Sequence, residues 1–222
     1  MFLKVGHRGA RAYEIENTIE SFRKAIELGA NAVELDVRES GDGKLIISHD
    51  DNLKKVFTRD IRINEASLKE LKELTGNRIL TLEEALRFIH GKVEKILLEL
   101  KEIGYEKKVL DAIKKEKLAG RVIVISFHEE ALSNMRKLNK SIETGLIYAK
   151  FKNPIDAAIK LNAQYLIPLY RFVHTRDVEN VHKNNLKVVV WTINTREEAK
   201  EYVAKGVDGI ASDRPDIFKG IA

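Results

Sequence analysis

The chain has 222 residues, a net charge of +5 and no cysteine. A length in this range predicts one domain over residues 1–222 with a sizeable core. The lack of cysteine excludes a disulfide framework, a thiolate metal centre and a cysteine nucleophile, and it fits a reducing compartment. The basic residues are interleaved with acids, as in residues 69–73, which is typical of a solvated helix face rather than of nucleic-acid binding.

The first predicted strand begins at residue 2, which leaves no room for a signal peptide, and no apolar run is long enough to cross a bilayer. We therefore expect a cytoplasmic protein without stable membrane association. One third of the residues are charged, a composition that resembles proteins of thermophilic organisms. The sequence leaves the oligomeric state open between a monomer and a small homo-oligomer.

Strand-like runs of apolar or β-branched residues alternate with helical segments along the chain. We predict eight of them, at residues 2–6, 32–37, 95–100, 121–126, 144–148, 165–168, 187–193 and 209–212. Helix-start signals lie between them at Asn17, Thr81, Asn153 and Thr195. This alternation predicts an α/β fold, a (β/α)8 TIM barrel.

A further strand-like run at residues 45–48 follows the second barrel strand too closely for a parallel crossover. The turn sequence at residues 41–43 predicts that this run returns as a hairpin. Such a hairpin places His49 opposite Leu35 or Asp36. We predict that residues from about 51 to 77 form a short insertion after the second barrel strand, with one helix at 66–75.

Acidic side chains gather at the carboxyl ends of two predicted strands, where barrel enzymes carry their active sites. Glu34 and Asp36 share one face of the second strand, and Glu99 and Lys101 share one face of the next barrel strand. Three carboxylates in one mouth would repel one another unless a cation lay between them. Oxygen ligands favour Mg²⁺ or Ca²⁺, so we predict one divalent-cation site.

Two histidines follow strands at the same edge of the predicted barrel. His7 follows the first strand and His49 follows the returning arm of the hairpin. Histidine titrates close to neutral pH and can serve as a general acid or a general base. We expect His7 to be the base and His49 the acid, although the sequence does not determine the order.

Eight sequence blocks occur in a fixed order along the chain. They are His7-Arg8-Gly9, Glu16-Asn17-Thr18, Glu34-Leu35-Asp36-Val37, Ile47-Ser48-His49-Asp50, Leu98-Glu99-Leu100-Lys101, Ser126-Phe127, Trp191-Thr192-Ile193-Asn194 and Gly206-Val207-Asp208-Gly209-Ile210. In this order they resemble the glycerophosphodiester phosphodiesterase family over nearly the whole chain. The resemblance implies that the three carboxylates hold one divalent cation, that the two histidines are the catalytic pair, and that Arg8 and Lys101 contact phosphate.

Other polar residues of these blocks are predicted to support the site without reacting. We expect Glu16 to orient Arg8 and Asp50 to orient His49, and Asn17 belongs to the same supporting group.

Two aromatic residues follow predicted strands at the mouth of the barrel. Trp191 and Phe127 are predicted to wall the substrate pocket.

The expected reaction is metal-dependent hydrolysis of a glycerophosphodiester, a small-molecule substrate, to sn-glycerol 3-phosphate and an alcohol. We favour a cyclic phosphate intermediate formed by the glycerol 2-hydroxyl, with direct attack by water as the other route. Lysophospholipase D activity is an alternative, ranked lower because no long amphipathic or aromatic loop is evident. A non-catalytic barrel that binds phosphorylated ligands is a second alternative. The sequence leaves open which alcohol is released and which of the two cations is used.

Overall fold

The computed structural model describes residues 1–221, in which the strands form one sheet that closes into a barrel. The strands are β1 (Leu3–Gly6), β2 (Ala32–Glu39), β3 (Leu45–Ile47), β4 (Lys95–Leu100), β5 (Val122–Ser126), β6 (Glu143–Tyr148), β7 (Tyr165–Pro168), β8 (Lys187–Val190) and β9 (Gly209–Ser212). All neighbours pair in parallel except β2 and β3, and the barrel closes because β1 pairs with both β2 and β9. The predicted TIM barrel is confirmed.

Helices connect the barrel strands and cover the outside of the sheet. They are α1 (Ile19–Glu27), α2 (Lys54–Phe57), α3 (Leu68–Leu74), α4 (Leu82–Ile89), α5 (Glu106–Lys115), α6 (Glu129–Leu138), α7 (Pro154–Leu161), α8 (Thr175–Lys183) and α9 (Arg196–Ala204). Thr81 and Thr195 cap α4 and α9 as predicted. The cap of α1 is Thr18 and not Asn17, because the Asn17 side chain bonds to Asp36 instead. Within residues 1–221, no helix has the length and apolar character needed to span a bilayer.

Side chains alternate between the inside and the outside of the barrel along each strand. Apolar residues such as Leu97, Ile125 and Ile167 pack together inside it. Their neighbours in sequence pack outward against the helices. In β2 the same alternation turns Val33, Leu35 and Val37 outward, which leaves the intervening acids facing the interior.

The hairpin of β2 and β3 brings His49 back toward the barrel mouth. Val37 pairs with Ile47, and the Ser48 N–H donates to the Asp36 carbonyl at 3.0 Å. Continuing that register places His49 opposite Leu35, in agreement with the prediction. Strand β2 runs to Glu39, beyond the predicted end, because it continues into the hairpin.

The segment after the hairpin differs from the single predicted helix. It contains α2, a 3-10 turn at Ile63–Glu65 and then α3. Helix α3 begins at residue 68 rather than 66 because Ser67 and Glu70 form a capping box at its start. These pieces pack on a small apolar cluster that includes Ile46 and Leu71.

Candidate active site

Three buried carboxylates lie together at the carboxyl ends of β2 and β4. Asp36 and Glu99 are direct neighbours in the sheet register, and Glu34 lies one alternation earlier on β2. Each residue offers one oxygen, and these oxygens all lie within 4.8 Å of one another. The strand periodicity that pointed to the cluster therefore brings its three members together.

Two cationic side chains lie against this acidic cluster. The Lys101 ammonium donates to Glu99 Oε1 at 2.6 Å and lies 3.4 Å from Asp36 Oδ1. The Arg8 guanidinium lies 3.4 Å from Asp36 Oδ2, and its backbone N–H donates to Glu34 Oε2 at 2.8 Å. Two cations lie against three buried carboxylates, and Arg8 is also paired with Glu16, so the cluster is short of positive charge.

A tight turn after β1 places Arg8 beside the acidic cluster. Arg8 has a φ of 53° and Gly9 one of 83°, both in the left-handed region that favours glycine. A Cβ on Gly9 would also lie 2.3 Å from Ser21 Oγ, so only glycine fits there. The tight turn lets the Arg8 guanidinium donate to Glu16 Oε1 at 2.9 Å, which is the contact that the sequence predicted for Glu16.

The acidic cluster fits a divalent cation. Among residues 1–221, Glu34 Oε1 and Asp36 Oδ1 are buried and form no hydrogen bond, although the Lys101 ammonium lies 3.4 Å from Asp36 Oδ1. Buried carboxylate oxygens without partners are costly unless a cation satisfies them. Asn17 fixes the other Asp36 oxygen by donating to Oδ2 at 2.9 Å. All three candidate ligands are hard oxygen donors, a set that suits Mg²⁺ or Ca²⁺.

The ionisation of the cluster without a cation reflects the same shortage of positive charge. Burial, together with the Asp36 charge, raises the pKa of Glu99 to about 7. Burial and the two neighbouring carboxylates also raise the pKa of Glu34. Burial alone would raise the pKa of Asp36, but the charges of Lys101 and Arg8 outweigh it and hold that pKa below its usual value.

These pKa values predict a pH-dependent effect of metal on stability. Without a cation, the raised pKa of Glu99 means that its contribution to stability is lost as pH rises from about 4.5 through about 7. A bound cation would offset this loss of stability, because it favours the ionised form of Glu99. We expect a fixed concentration of Mg²⁺ or Ca²⁺, about 100 times its Kd at pH 8, to raise Tm by roughly 5–10 °C at pH 8 and by clearly less at pH 5.5. Equal shifts in differential scanning fluorimetry at both pH values would contradict this.

His7 is held by a carboxylate that the sequence analysis missed. The His7 Nδ1 atom lies 2.7 Å from Asp213 Oδ1, and Asn194 donates to the other oxygen of Asp213 at 3.0 Å. Although burial favours its neutral form, the hydrogen bond and charge of His7 hold the pKa of Asp213 below its usual value. Because a carboxylate accepts hydrogen bonds, Nδ1 carries the proton, and Nε2 is left free, 4.0 Å from Glu34 Oε2.

His49, just after β3, is arranged in the same way. Its Nδ1 lies 2.7 Å from Asp50 Oδ1, the contact predicted for Asp50. Arg38 fixes its backbone, because the guanidinium donates to the His49 carbonyl from Nε at 3.0 Å and from Nη2 at 2.8 Å. Burial lowers the pKa of His49, with the charge of Asp36 opposing this shift and the charge of Lys101 reinforcing it.

The loop after β4 is tied to β2 by a buried tyrosine. The Tyr105 hydroxyl donates to the Val37 carbonyl at 2.6 Å and accepts from the backbone N–H groups of Lys101 and Glu102, each at 3.1 Å. Arg38 also pairs with the Glu102 side chain. Lys101 is thereby fixed relative to the acids of β2.

Replacing Tyr105 with phenylalanine is expected to lower the free energy of unfolding by about 1–3 kcal/mol, because a buried carbonyl and two N–H groups lose their partner. Urea denaturation measures this difference. Tyr13→Phe is the matched control, because Tyr13 is 42 % exposed. An unchanged midpoint in the Tyr105 variant would show that water replaces the hydroxyl.

A cavity of about 110 Å³ joins the acidic cluster, the histidines and the aromatic wall. Its polar side contains both histidines with Arg8, Glu34, Glu99 and Lys101, and its other side is apolar. Trp191 and Phe127 meet edge to face at this wall with ring centroids 5.8 Å apart, and Trp191 Nε1 donates to the Ile167 carbonyl at 2.8 Å. The residues predicted for catalysis, cation binding and substrate contact therefore line or adjoin one cavity.

Asp213, Asn194 and Arg38 are the site residues that sequence reasoning missed. Asp213 directly follows β9, so the rule that found Glu34 and Glu99 also applies to it. Arg38 lies two residues after Asp36 on the same face of β2. The position of Asp213 after a strand and the alternation along β2 could therefore have identified both residues from the sequence.

The fold and the site define a TIM-barrel enzyme with histidines and carboxylates at the carboxyl ends of its strands. The model of the glycerophosphoryl diester phosphodiesterase family matches residues 7–217. A glycerophosphodiester phosphodiesterase of Caldanaerobacter subterraneus is 32% identical over 97% of this chain and 96% of that protein. The chain therefore belongs to this family, and it is an enzyme of the phosphodiesterase class.

Solved structures agree with this assignment. The glycerophosphodiester phosphodiesterase of Thermotoga maritima is 34% identical, with a TM-score of 0.88 over 100% of this chain and 99% of that one. A phosphodiesterase of Oleispira antarctica, in complex with the product sn-glycerol-3-phosphate, is 28% identical, with a TM-score of 0.89 over 97% of this chain and 94% of that one.

Proposed function

We propose that this enzyme hydrolyses glycerophosphodiesters to sn-glycerol 3-phosphate and an alcohol, using two histidines and one divalent cation. The observation that carries the proposal is the shared cavity, in which His7 and His49 lie beside the acidic cluster. Each histidine has its Nδ1 on a carboxylate, so Nε2 is the ring nitrogen available to the substrate. The product complex of the Oleispira antarctica relative supports sn-glycerol 3-phosphate as the retained product.

The cation would be held by Glu34, Asp36 and Glu99. When bound, it supplies a Lewis acid that stabilises negative charge on the phosphoryl oxygens. Arg8 and Lys101 would place two further positive charges beside the phosphoryl oxygens. Burial lowers the pKa of both side chains, but the surrounding carboxylates outweigh it and raise the pKa of each. Both side chains are thus protonated and stabilise the charge that builds up in the transition state.

The histidines move the protons of the reaction. His7 accepts the proton of the attacking hydroxyl through Nε2, and the Asp213 carboxylate stabilises the imidazolium that forms. His49 begins the step in its protonated form and gives a proton to the departing alcohol oxygen, which would otherwise leave poorly as an alkoxide. Phe127 and Trp191 wall the apolar side of the pocket.

The attacking hydroxyl in our proposal is the glycerol 2-hydroxyl of the substrate. Its oxygen forms a bond to phosphorus as the bond to the alcohol breaks, which gives a cyclic phosphate. Water then opens the ring with the histidines in exchanged roles. An intramolecular hydroxyl has a high effective concentration. A substrate analogue without this hydroxyl is therefore expected to react at least 100-fold more slowly, and full-rate cleavage would exclude the cyclic route.

Replacing Asp213 with asparagine is expected to lower kcat by between about 10-fold and 10⁴-fold with little change in KM, because an amide cannot stabilise the imidazolium of His7. Steady-state kinetics on glycerophosphocholine measures this change. Asp208→Asn is the matched control, because Asp208 pairs with His182 at 2.9 Å and precedes β9, at the amino end of the barrel. An equal decrease in kcat in both variants would show that the decrease comes from a less stable fold and not from the role of Asp213 beside His7.

A panel of substrates tests the activity as a whole. The purified chain is incubated with glycerophosphocholine, glycerophosphoethanolamine and lysophosphatidylcholine, each with Mg²⁺, Ca²⁺ or a chelator. We expect sn-glycerol 3-phosphate from the first two substrates with one or both cations and none with chelator. The absence of this product under all conditions would refute the proposed function.

A further inference from the structure

A second cavity of about 470 Å³ lies outside the barrel, between α7 and α8 and the ends of β6 and β7. Its walls are largely apolar and include Ile155, Val173, Val178 and Val181. The volume falls in the range of about 300–1,000 Å³ that small-ligand pockets occupy. No residue of the proposed catalytic machinery lines it, so its existence calls for a separate explanation.

The strands β6 and β7 separate this cavity from the catalytic one. Ile147 and Ile167 line the catalytic cavity, whereas Tyr148 and Pro168, the next residues in each strand, line the outer one. Alternation along a strand sends successive side chains to opposite faces. The two cavities are therefore back to back across the barrel wall, and both lie near the carboxyl ends of the strands.

The rim of the outer cavity is basic and aromatic. The loop after β6 contributes Lys150, Phe151 and Lys152, and the loop after β7 contributes Phe172. The two phenylalanines are 40% and 44% exposed. The Lys150 ammonium lies 5.1 Å from the centre of the Phe172 ring, which joins the two loops at the rim.

The cations of this rim have no acidic partners. Among residues 1–221, Lys150 and Lys152 have no carboxylate within 4.0 Å, although many other basic side chains of the protein form such pairs. Asp177 is the acidic residue of the cavity wall, and its Oδ2 accepts the backbone N–H of His174 at 2.8 Å, which caps α8. The field at the rim is therefore suited to an anion.

The inside of the cavity also offers an unused polar group. Tyr148 lines the cavity and packs edge to face on Phe151 with ring centroids 6.0 Å apart. No hydrogen bond from its hydroxyl to another described residue is formed, whereas the hydroxyls of Tyr105 and Tyr202 bond to backbone carbonyls. A ligand headgroup at the rim could accept this hydrogen bond.

We propose that the outer cavity binds a long-chain fatty carboxylate. The apolar walls take the alkyl chain, because burial of methylene groups is the main source of affinity in such a pocket. Lys150 and Lys152 lie at the rim and hold the carboxylate, whose charge is complementary to theirs. This inference does not depend on the proposed reaction.

A series of sodium alkanoates from six to fourteen carbons tests the proposal by isothermal titration calorimetry on the full chain, below micellar concentrations. Each added methylene should tighten binding about fourfold until the cavity is full, after which the affinity levels off. No binding, or an affinity that keeps rising without a plateau as on an open surface, would overturn the proposal.

Two kinds of variant test separately the apolar walls that bind the alkyl chain and the lysines that bind the carboxylate. Ile155→Trp and Val181→Phe each fill the cavity and should bring the plateau to a shorter chain, with the melting temperature recorded to confirm folding. The double variant K150Q/K152Q should weaken alkanoate binding roughly fivefold and leave the alkanol of equal length unaffected. The control K137Q/K140Q removes two exposed lysines elsewhere and should have no effect. An unchanged chain-length profile in both filling variants would also overturn the proposal.

Discussion

Replacing His49 with alanine is expected to lower kcat by about 10²–10⁴-fold, the usual contribution of a positioned general acid or base. The variant loses the group that protonates the departing alcohol, but it keeps the acidic cluster, Arg8 and Lys101. KM should therefore change little. Steady-state hydrolysis of glycerophosphocholine at saturating cation measures the effect.

The chain offers a matched control for this variant. His182 is a histidine with a carboxylate partner, Asp208 at 2.9 Å, but it lies on α8 away from the catalytic cavity. His182→Ala should retain full turnover. A His49 variant with more than a tenth of the original kcat would contradict the assignment of His49 as a catalytic residue.

Replacing Glu34 with glutamine is expected to weaken cation binding by at least 100-fold and to remove activity at ordinary cation concentrations. The amide has no negative charge, and a loss at a direct ligand should exceed the 10–100-fold loss typical of supporting residues. Calorimetric titration with Mg²⁺ and Ca²⁺ measures the affinity independently of turnover.

Glu129→Gln is the control for the Glu34 variant. Glu129 is an exposed acid at the start of α6, so the same change in net charge leaves the cluster intact. Its cation affinity should equal that of the unmodified chain. Equal affinities in the Glu34 variant and this control would place the cation elsewhere.

Strand periodicity was sufficient to predict the barrel and the inward-facing acids. Glu34, Asp36 and Glu99 are polar residues in apolar runs, and in a parallel barrel such residues can only meet at the mouth. The position of His49 followed from the short hairpin, because its register fixes which residue faces the acids. These features depend on local spacing, which the sequence contains directly.

Other features depend on how distant segments pack. The bond between His7 and Asp213 joins residues 206 positions apart, and it exists only because β1 and β9 are neighbours in the closed barrel. The division of the insertion into separate short helices depends on which of its apolar residues pack against Ile46. The outer cavity arises from the separation of α7 and α8, which no spacing in the sequence specifies.

The most direct test of the central claim is ³¹P NMR of glycerophosphocholine incubated with the purified chain. With a divalent cation present, we expect the substrate resonance to be replaced by that of sn-glycerol 3-phosphate, with a transient cyclic phosphate before it. Addition of chelator should stop the conversion at once. Unchanged substrate with both Mg²⁺ and Ca²⁺, or conversion that continues at the same rate after chelation, would contradict the account.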